Sequence, residues 1–310
     1  MLRSLSIVVV SFTMAGPVRA DEPDPKLLAI LDSLGDNSSA TLPAFQTAGD
    51  LNDEAKRHGL DKTGPGQRNY CIKMAWMPDR KRAIFYGANH GVPHRLNDVW
   101  EYDLQTNTWI CLYGPDPSKG SKADYKDVDW ENVKDGVIRT KRGGPAVVPH
   151  SWWNMTYDPE LKAMLTFCTW SMTHPDLFAY LQKGKHKPPL WAFYPEKGKW
   201  EPIVDSKFDG LVPGYENARS LEYVPELGGS VWTKSDGMWL YDSKLNRWKQ
   251  LGIAKERMTI LENNCMQSTA TSAGVSTGGT MVSAIAAQLM LTGQQMSWPV
   301  LTAWTAFLAF

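Results

Sequence analysis

The sequence has no surplus of charge of either sign and little cysteine. Its 310 residues carry 33 basic and 33 acidic side chains. A chain without net charge has no electrostatic attraction for phosphate backbones, which excludes nucleic acid as a partner. There are four cysteines, which match no zinc-binding spacing and leave three disulfide pairings open for an exported protein: Cys71, Cys111, Cys168 and Cys265.

Catalytic signatures are also scarce. The sequence has no phosphate-binding loop and no His-Glu-x-x-His motif. Acidic side chains cluster between Asp124 and Asp135, where a solvated turn is a simpler interpretation than an acid/base pair. We therefore expect no cofactor and no metal, and we favour a protein that is not an enzyme.

The amino terminus has the features of a secretory signal peptide. Arg3 precedes an apolar run, and Val18 and Ala20 are small residues at the −3 and −1 positions of a cleavage site. A buried first strand is the alternative, but the polar, Pro-rich stretch after Ala20 favours cleavage. We expect a secreted or periplasmic protein that is cut after Ala20.

What the sequence has in abundance is aromatic and turn-forming residues. It contains 14 Trp, 11 Tyr, 25 Gly and 20 Pro, a mixture that favours an all-β chain with many short connections. One short helix is predicted over residues 24–35, with Asp24 as N-cap, Pro25 at the first helical position and Gly35 as the stop. A second helical turn is predicted from Leu51 to His58.

Three internal repeats dominate the middle of the chain, and each has two anchors. The first anchor is an aromatic residue followed by any residue, Pro and an acid, beginning at Trp76, Tyr157 and Tyr223. The second anchor is a pair of tryptophans nine residues apart, with an intervening tyrosine. The tryptophan pairs are Trp100 with Trp109, Trp191 with Trp200 and Trp239 with Trp248, and the tyrosines are Tyr102, Tyr194 and Tyr241.

Each repeat is interpreted as four short antiparallel strands. In the first repeat the predicted strands cover residues 70–77, 82–86, 98–103 and 108–112, with turns between them. Four such strands without a covering helix form one propeller blade, which is buried by stacking on the next blade. An aromatic-rich β-sandwich is the alternative, but it gives no reason for three tryptophan pairs at identical spacing. We expect the first Trp of each pair to occupy equivalent buried positions.

These residues carry a family resemblance. Residues Asn97–Trp109 and Asp236–Trp248 resemble the second half of a kelch repeat, and the segment from Leu190 is a looser match. The resemblance implies a kelch-type β-propeller, similar to the central domain of galactose oxidase. The kelch double glycine is missing from all three copies, so the blades are divergent. The predicted fold class is therefore an all-β, kelch-type propeller fragment with about three four-stranded blades and a short N-terminal helix.

The predicted organisation has four parts. They are a signal peptide (1–20), a helical or linker segment (21–65), the blades (66–251, divided into 66–112, 144–203 and 213–251) and an atypical tail (252–310). From Asn263 onwards the tail has no charged residue and no His. Three interpretations remain open: a membrane anchor, a low-complexity extension, or a shift of reading frame near Met258, which the abrupt change of composition favours. The apolar run Met281–Leu291 is short for a span of about 20 residues.

The predicted ligand site lies where the long connections of the blades meet. In a four-stranded meander the tight turns share one end of the blades, and the long loops share the other. Trp with Arg, Lys and His can stack on a sugar and hydrogen-bond it, or bind an acidic group. The candidate ligand-binding residues of these loops are His90, His94, Arg95, His150, Trp152, Trp170, His174, Lys183, Lys185 and His186. Ordinary solvated loop residues are the alternative.

The leading functional hypothesis is an exported binding or scaffold module for carbohydrate or protein. The alternative is a propeller enzyme acting on sugars, similar to galactose oxidases or sialic acid epimerases. The resemblance to galactose oxidases would imply copper held by Tyr and His, and no such set of residues is assignable in this sequence. Membrane anchoring by the tail is a less favoured expectation.

Overall fold

The computed structural model describes residues 23–36, 38–66, 68, 71, 73–87, 96–119, 124–125, 137–146, 148, 151, 153–167, 190–203, 219–234 and 237–253. The predicted signal peptide and almost all of the predicted tail lie outside these residues.

Three short helices precede the sheets or link to them: α1 (Pro25–Asp32), α2 (Asp53–Arg57) and α3 (Leu60–Thr63). The Asp24 side chain caps α1 by accepting from the N–H of Lys26, as predicted. The helix ends before Gly35, because the N–H of Ser33 donates to the Ala29 carbonyl and its hydroxyl donates to the Ile30 carbonyl. These bonds complete the last turn early. None of the described helices is long and apolar enough to cross a membrane.

Apart from one 3₁₀ turn, the other regular elements of the described residues are β-strands. The strands are β1 (Gln46–Gly49), β2 (Ala75–Met77), β3 (Arg82–Tyr86), β4 (Val99–Asp103), β5 (Thr108–Tyr113), β6 (Ser118–Lys119), β7 (Asp124–Tyr125), β8 (Met155–Asp158), β9 (Ala163–Phe167), β10 (Leu190–Tyr194), β11 (Lys199–Ile203), β12 (Ser220–Val224), β13 (Gly229–Lys234), β14 (Gly237–Asp242) and β15 (Arg247–Ile253). Strands β2 to β5 form blade 1, β8 to β11 form blade 2, and β12 to β15 form blade 3, each in consecutive antiparallel order. A 3₁₀ turn (Pro225–Leu227) joins β12 to β13, and β6 and β7 form a separate pair.

The three blades stack face to face. One apolar core contains Tyr86 and Val99 of blade 1 together with Trp191 and Phe193 of blade 2. The next core joins blade 2 to blade 3 through side chains such as Phe167, Trp232 and Trp248. Stacked four-stranded meanders bury their faces against one another as propeller blades do. The described chain therefore has the predicted fold class, an all-β propeller fragment.

The first tryptophan of each pair occupies the predicted position. Trp100, Trp191 and Trp239 lie on the third strand of their blades and are buried. Trp191 and Trp239 point toward the preceding blade, and Trp100 points toward α2 and α3 on the corresponding side of blade 1. Identical spacing fixes the same strand and the same side of the pleat. The prediction of equivalent buried positions is confirmed.

In blade 2 the predicted tyrosine, Tyr194, is wrong by one residue, because Phe193 is the residue opposite the second tryptophan. Trp109 pairs with Tyr102, Trp248 pairs with Tyr241, and Trp200 pairs with Phe193. Tyr194 instead pairs with Lys199 and lies at the place of Asp103. Pairing between neighbouring strands determines which residues of the three blades are equivalent, and residue spacing in the sequence does not specify that pairing.

Blade 1 differs from its prediction at both edges. Its first strand begins at Ala75 rather than at residue 70, because the N–H of Cys71 donates to the Arg68 carbonyl in a turn (2.9 Å). At the outer edge, β1 pairs in parallel with β5 and makes the sheet five-stranded. Helices α2 and α3 then cover the front of blade 1 through Ala55 and Leu60.

Candidate functional site

One end of the blades is closed by tight turns. Residues 78–81, 104–107, 159–162, 195–198, 225–228 and 243–246 each connect two strands there by four residues. The last residue of every turn has a positive φ: Lys81, Asn107, Lys162, Gly198, Gly228 and Asn246. A left-handed residue at this place lets a short turn return the chain into the next strand. We call this the short-turn end; its four-residue turns leave little loop surface on which a ligand could bind.

The opposite end carries the long connections, and we call it the long-loop end. The connections within blades 1 and 2 run over residues 87–98 and 168–189, and blade 3 is joined to blade 2 by residues 204–219. All ten predicted ligand-binding residues lie outside the described residues: His90, His94, Arg95, His150, Trp152, Trp170, His174, Lys183, Lys185 and His186. Their role stays a prediction.

The described part of the long-loop end contains an ion pair between blades 1 and 3. The Nζ atom of Lys73, just before β2, lies 2.5 Å from Oε1 of Glu222 in β12 and donates to the Leu221 carbonyl (2.9 Å). The Ser220 hydroxyl donates to the same Glu222 oxygen (3.3 Å). Because the first strands of the blades form their inner edge, this pair lies where the blades converge.

The neighbouring blade 2 contributes backbone and hydroxyl groups to the same inner edge. The N–H of Leu221 donates to the Trp153 carbonyl (3.1 Å), and the N–H of Tyr223 donates to the Thr156 hydroxyl (2.9 Å). These bonds fix the start of β12 against β8, and with it the position of Glu222. All three inner strands are thus held by polar contacts near their beginnings.

The ion pair is largely removed from water. The Lys73 and Glu222 side chains are 12% and 16% exposed. Loss of hydration lowers the pKa of Lys73 and raises the pKa of Glu222, while the attraction between the two charges opposes both shifts. A buried pair of this kind contributes more to specific positioning than to stability. Its remaining exposed surface can meet a polar group of a ligand.

Beneath the long loops, Asp116 organises a second polar cluster. Its Oδ2 accepts from the Asn97 amide (2.7 Å), the Tyr113 hydroxyl (2.9 Å) and the Thr140 hydroxyl (2.5 Å). Arg142 lies over the Tyr113 ring, 4.4 Å from its centroid, and 3.2 Å from Asp116 Oδ1. The cluster ties the connection between blades 1 and 2 to the end of β5. We interpret it as support for the loops.

A third polar cluster lies on the other side of blade 1. Asp98 Oδ2 accepts from the Arg68 guanidinium and from the Trp100 indole N–H, both at 2.5 Å. Arg68 also donates to the Gly87 carbonyl (2.6 Å). Both ends of the connection 87–98 are therefore anchored to Arg68, which gives that loop a rigid base.

Sequence reasoning did not identify Lys73 or Glu222 as site residues. Lys73 occupies the repeat position of Asn154 and Ser220, three residues before the aromatic anchors. A polar residue at this position in every repeat was the available signal. Glu222 lies inside a strand and gave no signal, since its partner comes from a different blade.

The described residues contain no group of three His, Cys, Asp or Glu side chains that could hold a metal ion. Cys71 and Cys111 are both buried, and no disulfide joins them. This removes one of the three pairings that the sequence left open. Burial raises the pKa of both thiols, so neither has the character of a reactive thiolate.

No protein-family model matches the chain, and no curated protein matches it. Among solved structures, the chain is similar to the crystal structure of TolB from Acinetobacter baumannii, with 14% identity and a TM-score of 0.29. The match covers 58% of this chain and 31% of that chain, so this chain spans less than a third of that structure's length. So distant a likeness carries no argument about function. The propeller fold rests on the stacked blades themselves.

Proposed function

We propose that this protein is an exported binding module that holds its ligand, a carbohydrate or a protein, at the long-loop end of its blades. The observation that carries the proposal is the contrast between the two ends. Six connections of four residues close one end, whereas the connections 87–98, 168–189 and 204–219 lie at the other. Long loops on a rigid β-scaffold are the usual place of binding.

The ion pair of Lys73 and Glu222 supplies polar groups at the base of such a site. It places a donor and an acceptor at the inner edge, close to where the long connections leave the strands. Sugar hydroxyls and peptide groups both hydrogen-bond to neighbouring donors and acceptors. The loop tryptophans Trp152 and Trp170 would provide the apolar face on which a sugar ring stacks.

The kelch assignment forms part of the proposal. It is supported by blades 1 and 3, in which a Tyr on the third strand pairs with the second Trp and its hydroxyl bonds to the turn Asn. Catalysis is not part of the proposal.

Glycan-array binding and protein capture by the exported full chain test the proposal. Trp170→Ala and His174→Ala, in the connection 168–189, should each weaken ligand binding at least about tenfold, the loss expected when a stacking or hydrogen-bonding side chain is removed. The matched controls are Lys197→Ala and Leu245→Ala in turns of the short-turn end, which should leave binding unchanged. Equal losses at both ends would contradict the assignment of the site. Turnover of a bound sugar would favour the enzyme alternative.

A further inference from the structure

The outer edges of blades 1 and 2 are protected from further strand pairing, and the outer edge of blade 3 differs from both. In blade 1 the edge strand β5 is covered by β1. In blade 2 the edge strand β11 contains Pro202, which has no N–H and is typical of edge strands that must not pair further. Blade 3 ends in β15, seven residues long and without proline, on which Arg247, Lys249 and Gln250 are exposed. An edge of this kind is a template for an added strand.

The pairing of β1 with β5 shows how such a strand binds in this fold. Gln46 lies opposite Thr108, and Gly49 lies opposite Cys111, in parallel register. The N–H of Gln46 donates to the Asn107 carbonyl (3.0 Å), and the N–H of Asp50 donates to the Cys111 carbonyl (2.8 Å). Gly49 has a φ of +91°, and a Cβ there would lie 2.2 Å from the Cys111 carbonyl oxygen. The contact is therefore made by backbone, with glycine required at one place.

Strand β15 repeats the geometry of β5. Both follow a turn that ends in a left-handed Asn, and this Asn accepts from the cross-strand tyrosine: Tyr102 to Asn107 at 2.6 Å and Tyr241 to Asn246 at 2.9 Å. Both also show a break of register at the same place, between residues 99 and 100 in blade 1 and between residues 238 and 239 in blade 3. Residues 247–250 of blade 3 thus correspond to residues 108–111 of blade 1.

The side chains on the two edges differ in charge. Where β5 has Thr108 and Ile110, β15 has Arg247 and Lys249, two positions apart and so on the same face of the strand. Opposite charges on directly paired strand positions stabilise the pair, and like charges destabilise it. Lysine on an edge also discourages pairing with neutral or basic strands, which restricts the partner that is accepted.

We propose that β15 accepts an extended, acidic segment of a partner protein as a parallel fifth strand, in the way that β5 accepts β1. Acidic residues of the segment lie opposite Arg247 and Lys249, and a glycine lies opposite Gln250. This surface is separate from the long-loop end, and the inference does not depend on the ligand proposed there.

The test uses a fluorescent peptide with the sequence of residues 43–50 in which Gln46→Glu and Ala48→Glu place acids opposite Arg247 and Lys249. Its binding to the full chain is followed by anisotropy at low ionic strength. It should bind about tenfold more tightly than the same peptide with Gln46→Lys and Ala48→Lys, because two charge pairs together contribute on the order of 1.4 kcal/mol. Tight binding of the unaltered peptide would instead indicate a second copy of this chain as the occupant and would overturn the acidic preference.

Two variants and one control test whether the peptide binds on β15. Lys249→Glu should remove or reverse the preference for the acidic peptide, whereas Lys199→Glu on β11 should leave it unchanged. Gln250→Pro removes the N–H at the position of Cys111, whose carbonyl faces β1, and should reduce binding at least about tenfold, with folding checked by the thermal midpoint. No detectable binding of the acidic peptide, or binding that is indifferent to Lys249→Glu, would overturn the proposal.

Discussion

Both interfaces between blades contain an apolar core, and they differ in chemistry at one position of the third strand. Glu101 and Ala192 occupy the same position, one residue after the first Trp, and each faces the following blade. In blade 1 the buried Glu101 carboxylate accepts from Arg80 (2.9 Å) and Arg82 (2.5 Å), both of the same blade. At the second interface Ala192 lies in an apolar core with Phe167 and Trp232.

The difference teaches that the repeat constrains shape more strongly than polarity. A buried carboxylate with two guanidinium partners contributes little net stability, because its attraction is offset by lost hydration. It does fix the arrangement of Arg80, Arg82 and Glu101 within blade 1. The polar contact that crosses to blade 2 beside this cluster is the Tyr157 hydroxyl, which donates to Asp79 Oδ1 (2.8 Å). An apolar interface such as the second derives its stability from buried area and ring contacts, including Phe167 and Trp232 at 4.8 Å between centroids.

The largest expected effect is in the apolar core of the second interface. Trp232→Ala should lower the free energy of unfolding by about 4 kcal/mol, because the indole is fully buried between blades 2 and 3. Urea denaturation of the full chain measures the loss. Trp76, which is 43% exposed, provides the control, and Trp76→Ala should cost less than about 1 kcal/mol. Equal losses would mean that the second interface is not a packed core.

The charged cluster of blade 1 should respond differently to single and combined changes. Glu101→Leu alone should cost about 3 kcal/mol, because it leaves Arg80 and Arg82 largely buried without their shared partner. The double variant Glu101→Leu and Arg80→Met should recover part of that loss, since Arg82 keeps its second partner, Asp103 (2.9 Å). Urea denaturation of the full chain measures the free energy of unfolding of both variants. A double variant less stable than the single variant would show that Arg80 stabilises blade 1 through contacts other than its pairing with Glu101.

A smaller effect is expected from the turn contact that blades 1 and 3 share. Tyr241→Phe removes the hydrogen bond from the tyrosine hydroxyl to Asn246 and should cost about 1 kcal/mol. Blade 2 supplies the natural control, because it has Phe193 and Gly198 at these places. Phe193→Tyr should therefore bring no gain in the free energy of unfolding. A gain there would mean that the hydroxyl finds another partner.

Much of the fold could be predicted because large aromatic residues mark the repeat at regular spacing. The tryptophan pairs fixed strand, face and turn in all three blades, and Asp24 marked the start of α1. The added strand β1 could not be predicted, since its short, mixed sequence Gln46–Gly49 has no alternation and its partner lies far along the chain. The ion pair of Lys73 and Glu222 was hidden for a similar reason, because it joins blades that are not neighbours in sequence.

The smallest expected effect concerns a buried acid at the second interface. Whereas Glu101 is paired with arginines, Asp158 at the end of β8 is held by backbone groups, and its Oδ1 accepts from the N–H of Glu160 (2.9 Å) and of Leu161 (3.1 Å). Loss of hydration is the main influence and raises the pKa of Asp158 above its ordinary value of 3.8. The folded chain therefore keeps a proton that the unfolded chain releases.

This raised pKa gives the effect a definite sign. Between the ordinary and the raised pKa of Asp158, the folded state binds more protons than the unfolded state, so the contribution of Asp158 to stability falls as the pH rises. Asp158→Asn keeps the Oδ1 acceptor but does not titrate. The free energy of unfolding of the natural chain minus that of this variant should therefore decrease from about pH 3.5 upwards and then level off, in urea denaturation over a pH series. Asp158→Ala loses the turn hydrogen bonds as well, so it should be less stable than Asp158→Asn at every pH with the same pH trend. If the stability difference between the natural chain and Asp158→Asn instead increases with pH, hydrogen bonds from the turn N–H groups, rather than burial, are the main influence on the pKa of Asp158.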